Sequence, residues 1–347
     1  MQQLLIYGAY GYTGILIIEE CLRKGIKPKV AGRDVEKIRD LGLKYEIPWE
    51  ALDLTNEAEL LEWLKTGSVV IHCAGPFIHT AQVMIEACLK TDTHYMDITG
   101  EYQVFDLAKE YDKEAQEKGL MLLPGAGFDV VPSDCLAAKL ATELSGATSL
   151  ELAFTSKGGK LSRGTAKTMI ENLGDPQVRR ENGEYVLESM GKRAKEINYG
   201  KFSQLSMGIS WGDISTAFHS TKIPTIEVYT GTTEKQLSRV KKMLLLSFIL
   251  KSDIAKTYLK KQIDKKPAGP EPEQREKANM YLYGKVSDGK EEVEARLRTP
   301  NGYTLTALAS AHIAEEILKD QYKSGYQTPS TAYGYELITK LEGCQFV

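Results

Sequence analysis

The chain has little with which to hold a metal or a cross-linked framework. Its 347 residues include five cysteines (Cys21, Cys73, Cys88, Cys135, Cys344), an odd number, scattered and without a C-x-x-C pair. That pattern suggests neither a zinc site nor a disulfide scaffold, and it fits a reducing compartment. The five histidines contain no i, i+4 pair, so no metal is expected. No sign of charge dominates: 44 Lys and Arg against 47 Asp and Glu leave a net −3, which gives no hint of a nucleic-acid partner. The longest apolar run, Met243 to Leu250, falls far short of the roughly 20 residues that span a bilayer. No charged leader precedes the first apolar strand, so a secretory signal is not expected and a cytoplasmic protein is. The Tyr-x-x-x-Lys pair of short-chain dehydrogenases is missing from its expected position. What remains, 42% apolar and 26% charged, is ordinary for a globular protein, and the length suggests two domains.

The richest stretch is the first. An apolar strand (Leu4 to Tyr7) runs into Gly8, Gly11 and Gly14, and a helix with Ile15, Ile18 and Leu22 at helical spacing follows, stopped by Gly25. Strand, glycine turn and helix in that order make a dinucleotide cradle. Gly8 permits the tight turn, Gly11 lets a pyrophosphate approach the backbone, and Gly14 lets the helix lie close on the sheet. Tyr10, Tyr12 and Thr13 share the turn, whose helix offers unpaired N–H groups to phosphate. A second strand, Lys29 to Gly32, ends at Arg33 and Asp34. An acidic residue near this place suits the ribose 2′-hydroxyl of NAD, whereas an arginine suits the 2′-phosphate of NADP, so NADP is preferred over NAD. In the alternative, Arg33 is a solvated strand end and Asp34 caps the helix 35–41.

Further alternation predicts strands at 49–54, 68–73, 94–98 and 120–123, with helices at 57–65, 80–90, 102–118 and 131–144. Asp53 and Leu54 fall where an adenine edge would lie. Ala74, Gly75, Pro76 and Phe77 follow the fourth strand and would pass the nicotinamide end, or form a plain Gly-Pro turn. Six alternations imply an α/β fold, a doubly wound parallel sheet of Rossmann type over residues 1–147.

Several of these motifs together resemble the saccharopine dehydrogenase-like oxidoreductases. They are Gly8-Ala9-Tyr10-Gly11-Tyr12-Thr13-Gly14, Ala31-Gly32-Arg33, Cys73-Ala74-Gly75-Pro76-Phe77, His94 through Glu101, and Gly127-Phe128-Asp129 with Pro132-Ser133-Asp134. That group includes saccharopine reductases and trans-acting enoyl reductases. The resemblance covers residues 1 to about 145 and returns at Ser162 to Ala166 and Thr328-Pro329-Ser330. It implies an NAD(P)-binding domain, a second α+β domain and no single substrate.

After Ser149 the alternation changes to that of half-exposed antiparallel strands. A second α+β domain with a mostly antiparallel sheet is expected over 148–325, for substrate or dimerisation, with 326–347 folding back on the first. Strands are expected at 150–154, 205–209, 216–219 and 225–230, and a mobile polar insertion at 174–201. A basic loop before a helix at 164–173 (Lys157, Lys160, Arg163, with Thr165 as cap) can receive a carboxylate or phosphate, or be a solvated loop. A long helix over 234–262, apolar nearly all round at 240–250, reads as core or subunit interface, hence a homodimer, rather than membrane contact. A loop at 265–277, a hairpin around Asp288-Gly289 and a helix at 305–319 complete the chain.

Hydride chemistry needs a group to give or take one proton. The candidates at the sheet edge are Tyr95, Asp97, Glu101, Asp129 and Asp134. Gly127 joins the nucleotide-facing set. Glu101 has a plain structural alternative as a first-turn helix residue favoured by the dipole, Asp134 as a cap or dipole partner, and Tyr95 as core. The expectation is an NADP-dependent oxidoreductase acting on an imine, carbonyl or enoyl group of a small acid or lipid-like molecule. Two alternatives stand beside it: an NADP-binding redox sensor without turnover, and a peripheral membrane lipid reductase.

Overall fold

The computed structural model describes residues 2–171, 175–244 and 252–347. They form two compact units, one of Met1–Val131 with Gly302–Leu337, the other of Pro132–Asn301 with Ile338–Val347.

The first unit is built on β1 (Leu4–Tyr7), β2 (Lys29–Gly32), β3 (Trp49–Ala51), β4 (Val69–His72), β5 (His94–Asp97) and β6 (Met121–Leu123). They run parallel in the order β3-β2-β1-β4-β5-β6, and a late strand, Gly325–Tyr326, adds parallel to β6. Every residue of β1 and β4 is buried, as a sheet covered on both faces requires. The order reverses between β1 and β4, and ligand crevices of open α/β sheets lie at the carboxyl ends of such a pair.

The connecting helices are α1 (Tyr12–Arg23), α2 (Val35–Tyr45), α3 (Glu57–Leu64), α4 (Ala81–Lys90), α5 (Tyr102–Glu110) and α6 (Asp112–Glu117). Asp34 caps α2 by accepting from Lys37 N, and Asn56 caps α3 through Glu59 N, each satisfying an orphan helix donor. The single helix expected over 102–118 breaks at Tyr111, whose hydroxyl donates to Glu86 at 2.8 Å. A 17-residue helix, Gly302–Leu318, packs on α1, with Leu305, Ala309, Ile313 and Ala314 fully buried. Its alanines let the two helices approach closely, and Tyr12 meets Tyr303 edge-on at 5.1 Å. The units therefore divide elsewhere than at 147 and 325. The helix expected in the second domain belongs to the first unit, and α7 (Val131–Glu143) falls almost wholly in the second. Of the closing segment 326–347, residues up to Leu337 join the first unit and the last ten join the second.

In the second unit, β7 (Ser149–Lys157), β8 (Gln177–Glu181), β9 (Glu184–Glu188), β10 (Ala194–Asn198), β11 (Ser203–Ile209), β12 (Thr225–Gly231), β13 (Asn279–Ser287), β14 (Glu292–Pro300) and a terminal strand, Gln345–Phe346, form one sheet. Among the described pairings only β7 with β12 is parallel. This is the mostly antiparallel α+β architecture expected. The helix α7 lies on β13, where a Cβ on Gly284 would stand 2.6 Å from Leu140.

Four local expectations are corrected here. Residues 174–201, read as a mobile insertion, contain β8, β9 and β10, because Arg180 is buried and donates to the carbonyls of Ile214 and Gly183. Residues 216–219, read as a strand, lie in the helix α9 (Asp213–Thr221), where Ala217 and Ile214 face the core. Residues 265–277, read as loop, include a short helix, Pro272–Lys277, opened by proline at its first position. The helix α8 (Arg163–Glu171) is capped by Ser162, which accepts from Thr165 N at 3.2 Å, and not by Thr165. The long helix expected over 234–262 is described as α10 (Glu234–Leu244) and a second helix, Asp253–Asp264, begun by the cap Ser252. Most of its apolar centre, and of the Met243–Leu250 run, lies outside the described residues. No described helix is long and apolar enough to cross a membrane.

Candidate functional site

The site grows from the two strands at the reversal. After β1 the chain turns at Gly8, whose φ is +74°. A Cβ there would stand 2.8 Å from Ala74 N and 2.9 Å from Ala74 Cβ, so the turns after β1 and β4 run side by side and only glycine allows it. The turn closes with Gly11 N donating to Gly8 O at 3.0 Å. A Cβ on Gly14 would lie 2.7 Å from Ala9 O, which explains the close seat of α1. No side chain caps α1 and no acidic residue sits in its first turn. Its leading N–H groups and positive dipole end are therefore left for an anion. Three glycines and an uncapped helix start fit a pyrophosphate.

Tyr10 lies on the end of β2, where a Cβ on Gly32 would meet its ring at 2.5 Å. Arg33 follows, exposed, and among the described residues its guanidinium has no hydrogen bond or ion pair. Asp34 is engaged in capping α2 and in an ion pair with Lys37 at 2.5 Å. The cap reading of Asp34 thus holds, and it leaves Arg33 as the residue of this corner suited to a phosphate. Asp53 closes a turn on Thr55 N and Thr55 Oγ1 at 2.9 and 2.8 Å. Leu54 packs partly buried against the core.

The opposite side of the crevice carries the carboxylates. Asp97, at the end of β5, is fully buried and accepts from Tyr95 Oη at 2.6 Å, Thr99 N at 2.9 Å and Gly125 N at 2.7 Å. Burial lifts its pKa to about 6 against those three donors. Tyr95 is likewise buried, and desolvation with the neighbouring Asp97 pushes its hydroxyl pKa well up. This pair, read from the sequence as catalytic candidates, is internal: it ties β5 to the loop after β6. Glu101, half-buried, accepts from Phe77 N at 3.0 Å and Ile78 N at 2.8 Å. Its carboxylate clamps the turn after β4. Asp134 is buried in the second unit and accepts from Ser220 Oγ at 2.8 Å.

Asp129 differs from these. It keeps partial exposure and lies against Gly100, where a Cβ would stand 2.9 Å from its Oδ2. Desolvation, helped by the charge of Glu101, lifts its pKa to about 7. A carboxyl that titrates near neutrality at the edge of such a crevice has the character of a general acid–base.

Of the residues expected to face a nucleotide, Gly8, Tyr10, Gly11, Tyr12, Thr13 and Gly14 surround the first turn, Arg33 sits at the second strand end, and Ala74 to Phe77 form the neighbouring turn. Gly127 is corrected: it is buried, and a Cβ there would meet Thr306 at 2.9 Å, so helix packing explains the glycine. Arg163 and Thr165 belong to the second unit, where Arg163 Nη1 donates to Asp264 O at 3.2 Å and the Thr165 hydroxyl pairs with Ser162. Two supports were missed. Thr306 Oγ1 accepts from Phe128 N, and Ser310 Oγ donates to Ala126 O, both at 2.9 Å. They hold the loop that carries Asp129. Their signal was a pair of hydroxyls four residues apart, Thr306 and Ser310, in a mostly apolar helix, but nothing in the sequence paired that helix with this loop. Among the described residues no cluster of metal-ligating side chains occurs.

Residues 4–123 match the family model described as the saccharopine dehydrogenase NADP binding domain. The bovine protein named saccharopine dehydrogenase-like oxidoreductase is 32% identical over 197 residues, covering 50% of this chain and 46% of its own. A trans-acting enoyl reductase of Mycobacterium ulcerans is 29% identical over 143 residues, 38% of this chain and 34% of its own. The chain spans about half the length, or less, of the curated relatives it matches. Among solved structures, apo saccharopine dehydrogenase (L-Glu forming) from Saccharomyces cerevisiae superposes with a TM-score of 0.68 at 15% identity, each chain wholly covered. Homospermidine synthase from Legionella pneumophila, in complex with NAD, gives 0.67 at 9% identity over all of this chain and 91% of its own. At such identities the structures speak for the fold. The resemblance read from the motifs is borne out, most fully in the first unit.

Proposed function

From a first unit that matches the saccharopine dehydrogenase NADP binding domain, we propose that the chain is an NADP-dependent oxidoreductase. It would act on an imine, carbonyl or enoyl group of a small acid or lipid-like substrate. The observation that carries this reading is the β3-β2-β1-β4-β5-β6 order, with the glycine turn and the Ala74–Phe77 turn on the two strands at its reversal. The enoyl option takes its support from the relatives named trans-acting enoyl reductase.

NADPH, when bound, would supply the hydride. The chain's own part is positional and protic. Gly8, Gly11 and the start of α1 would hold the pyrophosphate, Arg33 the 2′-phosphate, and Ala74 to Phe77 the nicotinamide end. Glu101 keeps that last turn in place. Asp129 would give a proton to the reduced substrate, or take one in the reverse direction, since a group with a pKa of about 7 is effective as both acid and base at neutral pH. Arg163 and Thr165 stay in the proposal as substrate contacts of the second unit. A cytoplasmic homodimer is part of the same reading: the five free cysteines fit a reducing compartment, and light scattering of the purified protein tests the dimer.

The deciding experiment is titration with NADPH and NADH by nicotinamide fluorescence, followed by a turnover screen. The screen would pair keto acids with amines and include enoyl thioesters. Tighter binding of NADPH with turnover of one class is expected. Binding of neither nucleotide would overturn the reading. Tight binding with no turnover of any class would favour the redox-sensing alternative.

A further inference from the structure

The turn after β4 has a second anchor that the proton chemistry does not use. His72 ends β4, fully buried, and its Nε2 lies 2.8 Å from Thr80 Oγ1. The Thr80 hydroxyl is 2.9 Å from the Ala74 carbonyl and 3.4 Å from that of Pro76. A hydroxyl has one proton to give. Given to Ala74 O, it leaves Thr80 Oγ1 as acceptor, so His72 must carry its proton on Nε2. The other ring nitrogen agrees: Nδ1 is buried with no hydrogen-bond partner among the described residues, and a proton placed there would be an unpaired buried donor. Tyr7 and Phe77 wall the ring at centroid distances of 5.7 and 5.5 Å. Desolvation pushes the imidazole pKa down to about 3, so the ring stays neutral throughout the working range.

We propose that His72 is a positioning residue whose Nε2–H, acting through the Thr80 hydroxyl, holds Ala74 to Phe77 in the course that receives the nicotinamide end of the nucleotide. The inference rests on the nucleotide reading above. Two anchors then act on one turn. Glu101 holds the N–H groups of Phe77 and Ile78, and the His72–Thr80 relay holds the carbonyl of Ala74. The hydrogen bonds of the relay all lie within residues 72–80, and none of them is made to the β1–β2 side, which would hold the adenosine half.

That asymmetry supplies the test. Binding of NADPH and of adenosine 2′,5′-bisphosphate, which lacks the nicotinamide half, is measured on the wild-type chain and on Thr80→Val, Thr80→Ser and His72→Leu. Thr80→Val should weaken NADPH by roughly 3- to 10-fold, the scale of one buried hydrogen bond, while adenosine 2′,5′-bisphosphate changes by less than about twofold. Thr80→Ser, which restores the hydroxyl, should bind NADPH as the wild type does. His72→Leu should reproduce the Thr80→Val split, and the double variant should be no worse than either single one, because the two residues form one relay. Unchanged NADPH affinity in Thr80→Val would overturn the relay alone. A parallel loss of both ligands, or additive effects in the double variant, would also overturn it. Failure of the wild type to bind NADPH would remove the nucleotide reading and the relay together.

Discussion

Replacing Asp129 by asparagine tests the proposed acid without any knowledge of the substrate. The native carboxyl titrates at about 7 against a usual value of 3.8. Between those values the unfolded chain has lost this proton and the native protein still holds it. Native binding exceeds unfolded binding, so this group's contribution to stability is fully present below about pH 4 and is lost as pH rises through about 7. The full swing is roughly three pKa units, up to about 4 kcal/mol. Asparagine cannot ionise, so the variant escapes the loss. Asp97 titrates in the same sense, with a native value of about 6, but it is present in both proteins and cancels in the difference. The assay is urea unfolding from pH 4 to 8.5, followed by tryptophan fluorescence in a Trp211→Phe background, so that Trp49 and Trp63 report the first unit. The stability of Asp129→Asn relative to its parent should climb with pH, mostly between about pH 4 and 7, and level off above that. A difference that stays flat across that range would refute the shifted titration and remove the main reason for choosing Asp129. Once a substrate is found, the same variant should lose about 10²- to 10⁴-fold in turnover, the scale of general acid–base catalysis.

Other outcomes follow from the same geometry. Arg33→Ala should weaken NADPH by roughly 1–3 kcal/mol and NADH far less, the loss of a charge-assisted hydrogen bond to phosphate; paired fluorescence titrations check it, and equal losses would show that Arg33 does not read the 2′-phosphate. Gly8→Ala sets a Cβ 2.8–2.9 Å from the Ala74 backbone and side chain at a φ of +74°, so about 1–3 kcal/mol of stability and most of the nucleotide affinity should go; thermal melts with and without NADPH read both. Glu101→Ala leaves the Phe77 and Ile78 N–H groups without their acceptor and should lower stability by roughly 2 kcal/mol, with Glu101→Gln recovering part of it in the same melts.

The first unit was legible because its signals are local. β1 and β4 are short apolar runs buried on both faces, and the turns after them carry glycines that a close backbone approach demands. The helix Gly302–Leu318 was found as a helix but assigned to the second domain. Its partner α1 lies nearly 300 residues away in the chain, and small residues at a helix face do not name what they face. Residues 216–219 alternated like a strand, yet α9 buries Ile214 and Ala217 at helical spacing, and tertiary packing overrode the short-range pattern. The site divided in the same way. Gly8, Gly11, Gly14 and Arg33 were readable from spacing, whereas the carboxylates were readable only as a set. Asp97, Glu101 and Asp129 are alike in sequence, and their burial and partners alone distinguish them.

That division also explains how one edge of the sheet can hold three carboxylates without conflict. Three donors converge on Asp97, so its oxygens belong to the joint between β5 and the loop after β6. Both oxygens of Glu101 accept from backbone N–H groups, which fixes its carboxylate in place. A fixed negative charge beside a third, partly desolvated carboxyl makes ionisation of that third group costly, and Asp129 is where the cost falls. The clamp on the Ala74–Phe77 turn is thus also a source of the proton-holding tendency at Asp129. Glu101→Gln should therefore do two separable things: loosen the turn, and move the Asp129 titration down towards the ordinary carboxylate range. A pH series of the kind used for Asp129→Asn, repeated in the Glu101→Gln background, distinguishes them. The stability loss with rising pH should then be smaller and level off at lower pH, and a loss that still levels off only near pH 7 would show that desolvation alone sets it.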